Sequence, residues 1–161
     1  MRNAVIVGFK RSPFTMARKG EMVEVRPEDI LSQTINSLIE ETKINKDDIE
    51  DIVTGCAYPE GAQGNNIAKI VSFMTGMPEH VAGMTVNRWC GSSMQAIHDA
   101  TGAIAINSGN VFVCCGVASS SAGTARALRP VALQERLRPE PGHALAGCDP
   151  RRPTPVYASD C

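Results

Sequence analysis

Cys90 is the residue of this chain whose type and setting best suit covalent chemistry. It lies between an apolar run that ends at Val86 and a helical pattern that begins after Gly91. The start of a helix carries unpaired backbone N–H groups, and the helix dipole favours a negative charge there. Such a position lowers the pKa of a thiol, and the backbone N–H groups around Cys90 and Gly91 are suited to hold an oxyanion during acyl transfer. The segment therefore predicts a nucleophilic cysteine at a strand–turn–helix junction.

The three histidines are not predicted to assist this thiol. His98 follows Cys90 by eight residues on the predicted helix. At the helical rise this separates them by about 12 Å along the axis, which is beyond hydrogen-bond reach. His80 precedes the strand that leads to Cys90, so we expect it at the opposite end of the sheet. His143 has no neighbouring residues that indicate a catalytic role.

The six cysteines are predicted to be reduced thiols. No CxxC pair is present, and Cys114 and Cys115 are adjacent, so strand alternation would direct them to opposite faces. We therefore expect no metal site, and we expect Cys56, Cys114 and Cys115 to be packed thiols. No secretory leader with a small-residue cleavage site precedes the first apolar run, which favours a cytoplasmic protein.

Length and charge exclude several classes of function. The chain has 161 residues, enough for one domain with a real core. A formal net charge of -1 gives no electrostatic reason to expect binding to nucleic acid or to an acidic membrane surface. No apolar stretch is long enough to cross a bilayer, so membrane insertion is not expected.

Short apolar runs alternate with helical patterns along residues 1–117. Strands are predicted at residues 4–8, 51–55, 81–87 and 111–115. Helices are predicted to begin at Pro27, after Asn65 or Asn66, and after Cys90. This order predicts an α/β fold with a mostly parallel sheet and helices on both faces. Functional loops of such sheets lie at the carboxyl ends of strands, where Cys90 is expected.

Two smaller features complete this prediction. Gly102 lies inside the last helix, where glycine costs up to about 1 kcal/mol relative to alanine, so we expect close packing to require it. Ser92 and Ser93 are expected to be cap or turn residues rather than a second nucleophile.

The composition changes after about residue 118. Residues 119–161 contain no Lys, Ile, Asn, Met or Phe, whereas all twelve isoleucines lie before them. We therefore predict a domain core at residues 1–117 and an irregular, Ala/Pro/Arg-rich tail at residues 118–161 that does not pack in the same way.

Residues 86–96, which read Val-Asn-Arg-Trp-Cys-Gly-Ser-Ser-Met-Gln-Ala, closely resemble the acyl-enzyme signature of thiolases. The similarity is closest to the 3-ketoacyl-CoA thiolases of fatty-acid β-oxidation. Supporting matches follow in the family's order and spacing at residues 11–14, 49–56 and 63–68. The resemblance extends from residue 1 to about residue 117.

The resemblance implies an acyltransferase in which Cys90 attacks the substrate carbonyl, becomes acylated and passes the acyl group to coenzyme A. Acyl-CoA and CoA would be its substrates and partners, no cofactor would stay bound, and a homo-oligomer is expected. Asn87 and Arg88 match the motif and are expected to shape the turn and subunit contacts rather than to do chemistry.

The same resemblance implies that part of a thiolase is missing. Thiolases have two similar halves in a layered α-β-α-β-α fold, and this chain is similar to the core of the first half. The second half supplies a Gly-His-Pro histidine, a second cysteine and an asparagine motif; none is identified here, and Gly142-His143-Ala144 lacks the proline. We therefore expect a truncated, incomplete thiolase with an aberrant tail. A non-catalytic or poorly folded fragment, and a related condensing enzyme of the ketoacyl-synthase type, remain alternatives.

Overall fold

The computed structural model describes residues 2–119, in which three parallel strands form one sheet between helices. The elements in chain order are α1 (Pro27–Thr42), β1 (Asp51–Cys56), α2 (Ile67–Met74), β2 (Ala82–Val86), α3 (Ser92–Ala105) and β3 (Phe112–Val117). Short 3-10 helices cover Lys46–Asp48 and Gly61–Gln63. The strand order is β2-β1-β3, and both pairings are parallel. The predicted α/β class and parallel sheet are confirmed.

The first helix begins and ends for the reasons that its sequence indicates. Pro27 occupies the first turn, where its missing N–H costs no helical hydrogen bond, and acidic residues follow it. Lys43 ends the helix in the left-handed conformation (φ 54°), and its N–H donates to the Ile39 carbonyl. Leu31 and Ile35 lie on the buried face and join the core.

The core lies on one face of the sheet, between the strands and helices α1 and α2. Ile52 of β1 and Val113 of β3 point to this face. They pack with Leu31 and Ile35 of α1 and with Val71 of α2. Helix α3 covers the opposite face and turns small side chains, including the buried Ala96 and Ala100, towards it. Helices on both faces are therefore observed as predicted.

Glycines in the strands let the helices approach the sheet closely. An alanine Cβ at Gly55 in β1 would lie 2.5 Å from the Ser92 carbonyl oxygen of α3. At Gly83 in β2 it would lie 2.5 Å from the Lys69 backbone nitrogen of α2. Backbone atoms cannot move aside alone, so both helices are seated directly on glycine.

The prediction for Gly102 is wrong. Outside the backbone of α3 itself, an added Cβ at this position would have no heavy atom of residues 2–119 within 4 Å. The residue faces open space within residues 2–119, and no close packing there requires glycine.

The prediction of a strand at residues 4–8 is also wrong. This segment has no regular secondary structure, and Val5, Ile6 and Val7 are 77%, 78% and 70% exposed. Gly8 lies against Leu38 and Thr42 of α1, and Lys10 pairs with Glu41 of the same helix. A strand exists only when a neighbouring strand satisfies its backbone groups, and none of the described strands pairs with these residues.

The predicted domain boundary falls at the end of β3. Of the predicted irregular tail, residues 120–161 lie outside the described part of the chain, so its packing stays a prediction.

Candidate functional site

Cys90 lies exposed on the turn between the carboxyl end of β2 and the first residue of α3. The loop that follows β1 begins at the same end of the sheet, because all three strands are parallel. This is the position predicted for Cys90, and an exposed thiol here is open to a reagent from solution.

The side-chain amide of Asn87 connects the two strand ends beside the thiol. Its Oδ1 accepts a hydrogen bond from the Trp89 backbone N–H at 2.9 Å. Its Nδ2 donates to the Ala57 carbonyl, just after β1, at 3.4 Å. An asparagine that accepts from the N–H two residues on mimics a backbone turn, so Asn87 closes the turn that carries Cys90.

Trp89 is the residue of the turn with an unusual backbone. Its φ is 50°, in the left-handed region that bulky residues adopt at an energetic cost. Its ring, 66% exposed, meets the ring of Tyr58 edge to face with centroids 5.7 Å apart. The left-handed residue of the turn before Cys90 is therefore a tryptophan, although glycine is the residue type that adopts this conformation most easily.

Ser92 completes the turn from the helix side. Its hydroxyl oxygen accepts a hydrogen bond from the Arg88 N–H at 2.8 Å, and the hydroxyl donates to the Trp89 carbonyl at 2.6 Å. The Arg88 guanidinium also donates to Gln95 Oε1 on the next turn of the helix. The predicted turn role of Ser92 is confirmed.

Some backbone N–H groups near Cys90 are already used inside the turn. The Gly91 N–H donates to the Arg88 carbonyl at 3.0 Å, and the Ser92 N–H donates to Trp89 at 3.1 Å. The Gly91 N–H therefore already closes the turn, and the expected oxyanion role of backbone N–H groups around Cys90 and Gly91 stays a prediction. Gln95 is the next residue of α3 whose N–H has a backbone acceptor, the Gly91 carbonyl, which leaves the N–H groups of Ser93 and Met94 to meet a negative charge.

The two histidines within residues 2–119 lie where the sequence predicts. His80 comes just before β2, and Cys90 comes after it, so a strand of about 16 Å separates the two levels. His98 lies exposed on α3, beyond its first turn. His143 lies outside residues 2–119. Neither described histidine is placed by these elements at the turn of Cys90.

The remaining described cysteines are free thiols held in the packing. Cys114 donates to the Ala96 carbonyl of α3, whereas Cys115 meets Thr54 Oγ1 at 3.0 Å on the other face, as strand alternation predicts. Burial, more than any nearby charge, raises the pKa of Cys114 to about 11 and that of Cys115 to about 12. Burial also raises the pKa of Cys56. These thiols are poorly suited to act as nucleophiles.

Gln63 is a structural residue of this edge that the sequence did not single out. Its side chain is fully buried, and its amide oxygen accepts from the Ser119 N–H at 2.7 Å. Its amide nitrogen donates to the carbonyls of Ser119 at 3.3 Å and Tyr58 at 3.2 Å. Gln63 thereby ties the chain after β3 to the loop after β1. A lone glutamine in a loop gives no sequence signal of such burial.

Two further observations concern residues 2–119 as a whole. No group of three or more His, Cys, Asp or Glu side chains comes together there as a possible metal site. None of the helices in this part is both long and apolar enough to cross a bilayer.

Comparison with known proteins points in one direction. A family model described as the N-terminal domain of thiolase matches residues 4–138. The chain is 39% identical over 116 residues to a 3-ketoacyl-CoA thiolase of Acinetobacter baumannii (strain ATCC 17978), which covers 72% of this chain and 30% of the relative. It is 40% identical over 118 residues to a 3-ketoacyl-CoA thiolase of Aeromonas salmonicida (strain A449), covering 73% and 30% respectively. The chain thus spans about 30% of the length of these relatives.

Proposed function

The chain belongs to the thiolase family, and from that premise we propose that it takes part in acyl transfer between thioesters through an acyl group carried on Cys90. The observation that carries the proposal is the exposed thiol on the turn between β2 and α3. The proposed substrates are a 3-oxoacyl-CoA and coenzyme A, as in the name of the relatives. The proposed products are acetyl-CoA and an acyl-CoA that is shorter than the substrate by the two carbons of the acetyl group.

The reaction would run in two steps. The Cys90 thiolate attacks the 3-oxo carbon, and the bond between C2 and C3 breaks with its electron pair left on C2. That carbon takes up the proton that Cys90 gave up, which releases acetyl-CoA and leaves the shortened acyl group as a thioester on Cys90. The sulfur of coenzyme A then attacks this thioester, Cys90 leaves, and the proton of the incoming thiol returns to it. A covalent intermediate divides one difficult step into two easier ones.

The described residues would contribute position and electrostatics. The turn made by Asn87, Trp89 and Ser92 holds the thiol at the start of α3. The remaining backbone N–H groups there would stabilise negative charge on the substrate oxygen. The proton transfers need an acid and a base, and the described histidines are not placed at this turn. We propose that groups outside residues 2–119 supply them.

A non-catalytic role is a second candidate that a specific observation favours. Val5, Ile6, Val7 and Phe9 are between 70% and 87% exposed. Apolar side chains exposed together mark a surface that another chain covers or that aggregates. On this reading the chain keeps the thiolase architecture but is not catalytic, and it folds stably only in association with a complementary chain. For decarboxylative condensation of the ketoacyl-synthase type, in contrast, no described residue gives particular support.

Mass spectrometry of the intact protein after incubation with acetyl-CoA tests the proposal. We expect an acetyl adduct that peptide mapping assigns to Cys90 and that the Cys90→Ser variant lacks. The Cys56→Ser variant is the matched control, because its thiol is buried and its loss should leave the adduct unchanged. If the wild-type chain acquires no adduct at Cys90 while it remains folded, it is not an acyl carrier by itself and the non-catalytic role is favoured.

Compartment and assembly belong to the same proposal. Four free thiols occur among the described residues, which suits a reducing compartment such as the cytoplasm. A homo-oligomer is proposed from family membership, and size-exclusion chromatography with light scattering measures it.

A further inference from the structure

The turn before Cys90 depends on one side chain that does not itself do chemistry. Trp89 has φ 50°, a conformation that costs an ordinary L-residue energy and that persists only when its surroundings hold it. The Trp89 N–H, which belongs to one of the two peptide groups that flank this residue, donates a hydrogen bond to Asn87 Oδ1. Asn87 therefore stabilises the left-handed residue directly.

The same amide also fixes the turn to the rest of the sheet. Its Nδ2 donates to the Ala57 carbonyl, which follows β1, whereas Asn87 itself follows β2. A hydrogen bond between two strand ends gives the turn a fixed position relative to the sheet, in addition to its local shape. The Ser92 hydroxyl, in contrast, bonds to the backbone of Arg88 and Trp89, both within the turn itself. These two hydrogen bonds shape the turn but do not connect it to a neighbouring strand.

We infer that Asn87 is a positioning residue for Cys90: it holds Trp89 in the left-handed conformation and ties the turn to β1, so that the thiol is presented at the start of α3. The inference rests on the proposed function of Cys90 as an acyl carrier. Asn87 contacts neither the thiol nor the substrate in this scheme and acts through Trp89.

The chain offers a direct spectroscopic reporter, because Trp89 is its one tryptophan. Its ring is fixed against Tyr58 in an asymmetric, edge-to-face arrangement. The tryptophan band of the near-ultraviolet circular dichroism spectrum therefore reports on this turn alone. Far-ultraviolet circular dichroism reports separately on the helices and strands.

The experiment compares Asn87→Ala, Asn87→Ser and Asn45→Ala in the full 161-residue chain. Asn45 is the matched control, because its Oδ1 also accepts from the N–H two residues on, at 3.2 Å, but before the 3-10 helix at Lys46–Asp48. A serine hydroxyl can accept the same turn hydrogen bond more weakly, so Asn87→Ser is the conservative variant.

We expect Asn87→Ala to lose most of the tryptophan band and to acetylate Cys90 from acetyl-CoA about fivefold more slowly, the factor that corresponds to one net hydrogen bond. Asn45→Ala should retain both signals, and Asn87→Ser should retain about half of the rate or more. Combining Asn87→Ala with Trp89→Gly should reduce the effect on rate to less than about twofold, since glycine adopts the left-handed conformation without cost. Trp89→Ala is the control for loss of the ring, and there the full effect should remain.

An Asn87→Ala variant that keeps the wild-type tryptophan band, or that loses it without a change in Cys90 reactivity, overturns the inference. If the wild-type chain is not acetylated, the proposed function fails for this chain, and the alkylation rate of Cys90 by iodoacetamide then decides the role of Asn87 with the same variants and the same expected fall. Labelling of the buried Cys56 identifies any variant that has unfolded. If Asn87→Ala has unfolded, the Asn87→Ser variant is used instead. A smaller loss of both the tryptophan band and the Cys90 reaction rate supports the positioning role, and no change in the rate overturns it.

Discussion

The seating of α3 on Gly55 leads to a prediction about stability that two identical substitutions can test. In Gly55→Ala the new methyl group would lie 2.5 Å from the Ser92 carbonyl oxygen, whereas ordinary contact begins at 3.4 Å. The contacted atoms of α3 are backbone, and the new Cβ is held by the backbone of β1, so the start of α3 must move away from β1 by about 1 Å in a close-packed interior. Overpacking of this kind costs about 1–3 kcal/mol.

Gly102→Ala is the matched control, because it makes the same chemical change within α3 itself. Among the described residues, no heavy atom outside the α3 backbone lies within 4 Å of the added Cβ, and alanine is favoured over glycine inside a helix by up to about 1 kcal/mol. The two variants should therefore shift the free energy of unfolding in opposite directions and differ by about 1–4 kcal/mol.

Urea unfolding followed by far-ultraviolet circular dichroism measures both variants against the wild type. The expected result is a lower midpoint for Gly55→Ala and a higher midpoint for Gly102→Ala at unchanged slope. If Gly55→Ala is as stable as the wild type, or if Gly102→Ala is destabilised to the same extent, the close approach of β1 and α3 is refuted as the reason for glycine at position 55.

Three further predictions concern thiols and caps. Iodoacetamide at pH 8 should modify Cys90 readily and Cys115 hardly at all, because raising the pKa of Cys115 from 9.0 to about 12 lowers its thiolate fraction about 1000-fold; equal labelling in peptide maps would contradict this. Since this pKa is higher in the folded state than in the unfolded state, the stability that the neutral thiol contributes is complete below pH 9 and is lost as the pH rises towards 12. Urea midpoints should therefore fall between pH 8 and pH 11, less steeply in Cys115→Ala. Asn66→Ala should lower the free energy of unfolding by about 1 kcal/mol or more, because Asn66 caps α2 and also bonds to β2. In parallel urea titrations, substitution of the exposed Asn45 by alanine should lower it less. The reverse order would contradict the role of the β2 contacts.

The described elements follow from the sequence where local pattern and burial agree. The apolar spacing of Leu31 and Ile35 predicts the buried face of α1, and Asn66 is the cap that its position before α2 indicates. Short apolar runs predict β1, β2 and β3 to within a few residues of their observed ends. Parallel pairing follows because a helix separates each strand from the next.

The first apolar run shows where such reasoning fails. A pattern such as Val5-Ile6-Val7 records the tendency of residues to be buried in a sheet, but it does not say which strand would pair with them. Within residues 2–119 the sheet contains no such partner for the segment. Strand formation depends on that long-range pairing, and a local pattern cannot supply it.

Glycine shows the opposite error. Gly102 drew attention because glycine is unfavourable inside a helix, yet it has open space around it. Gly55 and Gly83, in the strands, are the positions of close approach. Glycine within a strand is a recognised sign of a close backbone contact. The sequence therefore indicated the close contact, but it did not indicate which helix makes it.

The site was predictable in its location but not in its internal support. The motif around Cys90 predicts the thiol between a strand and a helix, and the structure places it there. The left-handed Trp89 could not be read from its residue type, since tryptophan rarely adopts that conformation. Asn87, two residues before it, is a turn-forming type and gave the one available sign.

The strand order β2-β1-β3 has a consequence for folding during synthesis. The central strand, β1, is complete at Cys56, but its second neighbour ends at Val117, about 60 residues later. At ribosomal rates of roughly 5–20 residues per second, about 3–12 s pass between these two events. Once β2 is complete at Val86, the emerging chain can form the β1–α2–β2 unit, while the other edge of β1 has no strand partner until β3 is made. For seconds, the open edge of β1 in the nascent chain can therefore pair with strands of other chains. In the complete sheet β1 is protected, because it is paired on both sides.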